Sequence, residues 1–115
     1  GCDLYYTVFP IVVDNCWCLN NGFDKGNANG FKMGGCKQGG TSTGAHVFKN
    51  CIAAFHAKKG FDQNHHREGS YLINDLSYGN GINYGYNMEE PDYGNWVLRG
   101  LCLWFTKDGA QLCFH

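Results

Sequence analysis

The stretch Thr41–Gly60, TSTGAHVFKNCIAAFHAKKG, holds the clearest periodic pattern in the chain. Val47, Phe48, Cys51, Ile52 and Phe55 recur at the spacing of one helical face. Thr41, Ser42 and Thr43 supply oxygens that could cap the first turn. Lys58, Lys59 and Gly60 close the stretch as a helix C-terminus closes, with cations on the negative dipole end and a residue that tolerates the left-handed conformation. The pattern predicts an amphipathic helix over about 43–59, with Cys51 in mid-stripe and facing the core.

Upstream, Leu4–Val13 (LYYTVFPIVV) is β-branched and aromatic and reads as strand, with Pro10 marking an edge, a bulge or a split. The run extends toward Asn15-Cys16-Trp17-Cys18. Residues 19–40 carry glycines at 22, 26, 30, 34, 35, 39 and 40 and read as a long loop with a short strand near Phe31-Lys32-Met33. Downstream, residues 61–70 form a polar loop. Residues 70–78 (SYLINDLSY) fit a short helix capped by Ser70 and stopped by Gly79, the favoured reading, with a strand as the alternative. Residues 79–95 are a Tyr/Asn/Gly excursion with a strand at Ile82–Tyr86. Residues 96–106 form a strong strand, Lys107-Asp108-Gly109 a turn, and Ala110–Phe114 a returning strand.

No internal repeat and no dividing linker is read, so residues 1–115 form a single domain. The expected fold is α+β: an antiparallel sheet, with the final hairpin at or beside its centre, one main helix packed on it, and long Gly/Asn/Tyr-rich loops.

Composition narrows the function. Charged residues are 17% of the chain and the net charge is −1, which offers no electrostatic footprint for nucleic acid or anionic lipid. No apolar run is long enough to span a membrane. The cysteines are Cys2, Cys16, Cys18, Cys36, Cys51, Cys102 and Cys113, none with C-x-x-C spacing. In a short, Gly-rich, charge-poor chain they read as a disulfide framework pairing six of the seven, with connectivity open. The odd cysteine leaves a monomer, or a dimer through that thiol. The opening Gly1-Cys2 reads as a processed mature form, so the chain is expected outside the cell.

Several constellations could carry chemistry. His46 and His56 would lie on different sides of the helix and could not share a metal. His65 and His66 sit in a loop with Asp62 and Glu68, a grouping that could gather a divalent cation, but without the spacing of a zinc site. Glu89, Glu90 and Asp92 surround Pro91 and read as a solvated tip. His46 or His56 with Glu68 and Arg67 could supply a ribonuclease's acid, base and phosphate clamp. Gly34-Gly35 and Gly39-Gly40, ahead of the expected helix, read as loop and cap rather than an anion site. There is no G-x-S-x-G and no flagged catalytic thiol. No catalytic residue, metal or cofactor is assigned. The candidate binding surface is aromatic: Tyr78, Tyr84, Tyr86, Tyr93 and Trp96, spaced by Gly and Asn, have the composition of an adaptable recognition surface, the alternative being that these rings cover the core of a Gly-rich domain short of aliphatics.

The Gly/Ser/Thr-rich entry to a Cys-bearing amphipathic segment (Gly39 to Phe55), the closing Arg99-Gly100-Leu101-Cys102-Leu103-Trp104-Phe105 and the terminal Cys113 resemble small secreted cysteine-rich fungal proteins of the killer-toxin and effector type. That resemblance implies extracellular life and action on another cell without enzymatic activity. The resulting expectation is a secreted, non-enzymatic toxin- or effector-like protein that recognises a target-cell protein or glycan through the aromatic surface. A carbohydrate-binding lectin-like module and a small secreted hydrolase such as a ribonuclease are the alternatives.

Overall fold

The computed structural model describes residues 1–24, 26–35, 45–64, 66, 69–85, 102–106 and 109–112. Twelve short strands appear among them, and no helix. The first nine come as three similar triplets. Coil one is β1 (Cys2–Asp3), β2 (Val12–Asp14) and β3 (Trp17–Leu19). Coil two is β4 (Phe31–Lys32), β5 (His46–Lys49) and β6 (Ile52–Ala54). Coil three is β7 (Lys59–Asp62), β8 (Ser70–Ile73) and β9 (Leu76–Tyr78). A fourth coil opens with β10 (Ile82–Gly85), and the chain then runs to β11 (Cys102–Thr106) and β12 (Gly109–Leu112).

Equivalent strands of successive coils pair in parallel. Sheet A has the order β1-β4-β7-β10, sheet B β12-β11-β8-β5-β2, and sheet C β3-β6-β9. The antiparallel pairs lie at one edge of sheet B: β11 pairs antiparallel with β8 and with β12. The final hairpin thus closes one edge of sheet B and does not form the centre of an antiparallel sheet. Three parallel sheets wound around one interior make a parallel β-helix, and the α+β expectation is overturned.

The helix expected over 43–59 fails at Asn50. This residue has φ 57°, the left-handed conformation, which no helix interior contains. The chain runs straight through β5, bends at Asn50, and runs straight again through β6. Phe48 and Cys51 are buried, but Ile52 is only half-buried and Phe55 is exposed. Two short strands across a bend therefore imitate one helical stripe. The helix expected over 70–78 fails identically: β8 and β9 meet at Asn74, φ 53°. Asn15, φ 59°, makes the same bend between β2 and β3. Asparagine suits all three positions because its short polar side chain tolerates the left-handed region.

The bends stack. Asn74 Nδ2 donates to Asn50 Oδ1 at 2.8 Å, and Asn50 Nδ2 donates to Asp14 Oδ1 at 3.1 Å. The residues after them, Cys16, Cys51 and Asp75, form a second column. The Cys51 N–H donates to Asp75 Oδ1 at 2.7 Å. Asp75 Oδ2 is buried with no hydrogen-bond partner. Burial pushes the Asp75 carboxyl up to about 8 and the Cys51 thiol up to about 12.

The interior is filled by one column from each sheet. Phe31, Phe61 and Tyr84 stack along sheet A, with ring centroids 4.8 and 5.7 Å apart and planes nearly parallel. The first of these distances matches the ~4.7–4.9 Å between paired strands. Phe48 of the Val13–Phe48–Leu72 column on sheet B meets Phe31 and Phe61 edge-on. Sheet C contributes only Cys18, Ala53 and Ser77. Small side chains on one wall make room for rings on another, so the core reaches close packing.

Candidate functional site

The outward positions of sheet A form a charged column. Asp3, Lys32, Asp62 and Gly85 share one register across β1, β4, β7 and β10, flanking the inward column of Cys2, Phe31, Phe61 and Tyr84. Gly85 leaves a slot that Lys59 fills: a Cβ there would stand 2.5 Å from Lys59 Cδ. From that slot Lys59 Nζ reaches Asp62 Oδ1 at 3.2 Å. The Asn64 N–H also donates to Asp62 Oδ1 (3.0 Å), and Asn29 Nδ2 donates to Asp62 Oδ2 (2.9 Å). Asp62 is buried and its carboxylate is fully engaged.

Lys32 is held differently. Its Nζ meets Asp3 Oδ2 at 3.0 Å, and the Asp3 side chain is 46% exposed on the edge strand β1. An exposed pair of this kind contributes at most ~1 kcal/mol. A ligand carboxylate could therefore replace Asp3 at little cost, whereas drawing Lys59 away would leave the buried Asp62 short of a partner. Sheet A thus presents one firmly tied cation beside one loosely tied cation, on a flat surface of parallel strands.

The histidines serve the fold. His46 Nδ1 accepts the Ile11 N–H at 3.0 Å, which leaves its proton on Nε2, 2.9 Å from Thr7 Oγ1. The Thr7 hydroxyl donates to the Leu4 carbonyl. Burial, reinforced by His66, pushes His46 down to about 4. The two rings stack 4.8 Å apart. His56 repeats the scheme at another corner: Nδ1 accepts the Asn21 N–H, and Nε2 donates to the Cys18 carbonyl at 2.9 Å. Burial lowers its pKa as well. Both rings are pins between coils with both nitrogens engaged, so neither offers the free base that the ribonuclease use of His46 or His56 requires. His65, Arg67 and Glu68 lie outside the described residues. Among the described residues no group of three or more metal-ligating side chains gathers. Gly34 gives the His66 ring room: a Cβ there would stand 2.3 Å from Nδ1, and φ is 140°.

Of the expected aromatic surface, two members lie among the described residues. Tyr84 is buried in the interior stack. Tyr78 lies on sheet C, half-buried and edge-on to Phe55. Tyr86, Tyr93 and Trp96 lie outside the described residues, as do Glu89, Glu90 and Asp92. The six-cysteine framework is also corrected. Cys2, Cys16, Cys18 and Cys51 are free thiols, and Cys102 is disulfide-bonded. Four free thiols among seven cysteines leave room for one bridge at most. Coil stacking does the work assigned to the others. No helix among the described residues is long and apolar enough to cross a membrane.

The charged column was missed in sequence because its members are remote: Asp3 and Lys32 pair across 29 residues. The one local signal was Lys59-Gly60-Phe61-Asp62, where a cation and a carboxylate stand three apart.

Comparison with known proteins accounts for the architecture. A family model described as the Pel9A-like, right-handed β-helix region matches residues 1–95. "Pectate lyase L" of Dickeya chrysanthemi is 39% identical over 93 residues, covering 75% of this chain and 21% of that protein. "Pectate lyase PEL9" of Emericella nidulans is 28% identical over 96 residues, covering 64% of this chain and 23% of its own length. The chain thus spans about a fifth of the length of the curated relatives it matches. No solved structure matches. These findings overturn the killer-toxin resemblance and the non-enzymatic toxin or effector drawn from it. With its parallel coils, its stacked corner asparagines and a match over most of its length, the chain belongs to the Pel9A-like right-handed β-helix family.

Proposed function

We propose that this chain is part of an extracellular polysaccharide lyase acting on pectate, and that the outer face of sheet A meets the polymer. The observation that carries the reading is Lys32, an amine on a flat sheet held only by the exposed carboxylate of Asp3. Pectate is a chain of uronic acids, so each sugar brings a carboxylate that can displace Asp3. Cleavage by elimination takes the proton beside that carboxylate and breaks the glycosidic C–O bond, and the charged Lys32 ammonium pairs with the carboxylate on which negative charge builds. Lys59, fixed by Asp62 and Asn29, sets a second positive charge one strand away. The names of the relatives, pectate lyases in a bacterium and a fungus, support the same substrate.

Electrophoresis through gels containing polygalacturonate tests the reading. The chain should be retarded, and Lys32→Met should lose most of the retardation. Turnover is followed by the ultraviolet absorbance of the unsaturated product, with the same variant inactive. A wild-type chain that migrates unretarded at low salt, or a Lys32→Met chain retarded as strongly as wild type, overturns the assignment.

A further inference from the structure

The corner between sheets B and C carries a second surface of different chemistry. A groove of about 160 Å³ runs there along the stack of coils. Its floor is the amide column Asn15, Asn50 and Asn74, and its wall is Trp17, Ile52 and Leu76, which share one register across β3, β6 and β9. Trp17 heads that wall and is 66% exposed. Among the described residues no charged side chain lines the groove; Cys51 completes its lining.

We infer that this groove is a contact site for a neutral sugar ring of a polysaccharide, distinct from the charged face of sheet A. The C–H face of a pyranose suits the face of an indole ring, whose negative quadrupole and apolar area it can cover. Its hydroxyls suit amide groups, which both donate and accept. Part of the floor is ordered in advance: the left-handed bends and the Asn74–Asn50 and Asn50–Asp14 hydrogen bonds fix the Asn50 and Asn74 amides before any ligand arrives. The absence of any lining cation disfavours uronates, whose carboxylates would lose water with nothing to replace it. The volume lies below the ~300–1,000 Å³ of sites that enclose whole small ligands, so the groove takes a single ring of a longer chain. The inference stands on this lining alone and survives if pectate is not the substrate.

Titration of tryptophan emission with a neutral galactotetraose, a cellotetraose and an acidic tetragalacturonate tests it. A neutral tetrasaccharide should give a saturable change in the millimolar range. Trp17→Ala should weaken that binding at least tenfold, and Trp17→Phe should restore part of it. Because Trp17 is exposed, neither variant should lower the melting temperature appreciably, and retardation by polygalacturonate should stay at the wild-type level. Three results would overturn the site: no saturable response to either neutral sugar, a response retained in full by Trp17→Ala, or tetragalacturonate competing for the groove as well as the neutral chains do. Failure of polygalacturonate binding with neutral binding intact would count against the proposed lyase function and leave this site standing.

Discussion

The outer faces of sheets A and C are built by the same coils and look outward from one shared interior, yet they share no chemistry. Sheet A displays Asp3, Lys32 and Asp62 in a row, with Lys59 laid across Gly85. Sheet C displays Trp17, Ile52 and Leu76 beside Leu19 and Tyr78, with no charge among them. Alternation along each strand explains how both can coexist. Inward positions answer to neighbours above and below and must fill the core. Outward positions are free of the stacked interior columns and take their partners from their own sheet and its loops, as Asp62 does, so each sheet can be furnished separately.

The largest effect should come from breaking what the two faces share. Phe61 lies between Phe31 and Tyr84 and touches Phe48, so Phe61→Ala should cost ~3–5 kcal/mol. Chemical denaturation should show a lower midpoint, and the variant should lose both ligand responses together. Asn50 comes next. Asn50→Ala removes two ladder hydrogen bonds and forces a Cβ-bearing residue without a compensating amide into φ 57°, at a cost of ~1–3 kcal/mol. Asn50→Gly accepts the conformation and should recover part of the loss. If both variants lose equally, the amides and not the bend hold the corner.

Asp75 sharpens the same comparison through pH. Its carboxyl titrates near 4 in an unfolded chain and near 8 here. Between those values the folded chain holds a proton that the unfolded chain has lost. The Asp75 contribution to stability therefore falls as pH rises through that window and levels off above about 8. His46 opposes this below about 6.5, because its folded value of about 4 favours the neutral ring. The Asp75 slope should thus show cleanly between pH 6.5 and 8 in melting temperatures. Asp75→Asn should flatten it, and an unchanged slope would place the titration elsewhere. The smallest change in stability belongs to Lys32→Met, under ~1 kcal/mol in denaturant melts, since its ion pair is exposed. A large loss would show that the charged row of sheet A holds the fold and is not reserved for ligand.

Some of this was legible in the sequence. Strands were read near Phe31 and Ile82, and a closing pair of strands before and after residues 107–108; β4, β10, β11 and β12 lie there. The repeat was missed. VVD-Asn15-Cys16-WCL, HVFK-Asn50-Cys51-IAA and SYLI-Asn74-Asp75-LSY are one pattern written three times. Unequal spacing hid it: 35 residues separate the first two asparagines and 24 the next two. The helical stripe through Val47, Phe48, Cys51, Ile52 and Phe55 arose because a bend after four residues returns apolar side chains to the core at intervals that a helix also produces. The charged row could not be read locally, because its partners become neighbours only once the coils stack. Tyr84 shows the reverse error, an aromatic residue taken for surface that the interior column required.

The corner asparagines also bear on how such a chain tolerates change in length. From coil one to coil two the offset is 35 residues on sheets B and C but 29 on sheet A. All of that difference is absorbed in the connections, and none reaches the corner between β2 and β3 or between β5 and β6. Each asparagine therefore resets the reading frame of the stack. Residues gained or lost in the connection from sheet A to sheet B leave the next amide in line with the last. Insertions at those connections can lengthen the walls around a substrate while the ladder keeps every later rung in place.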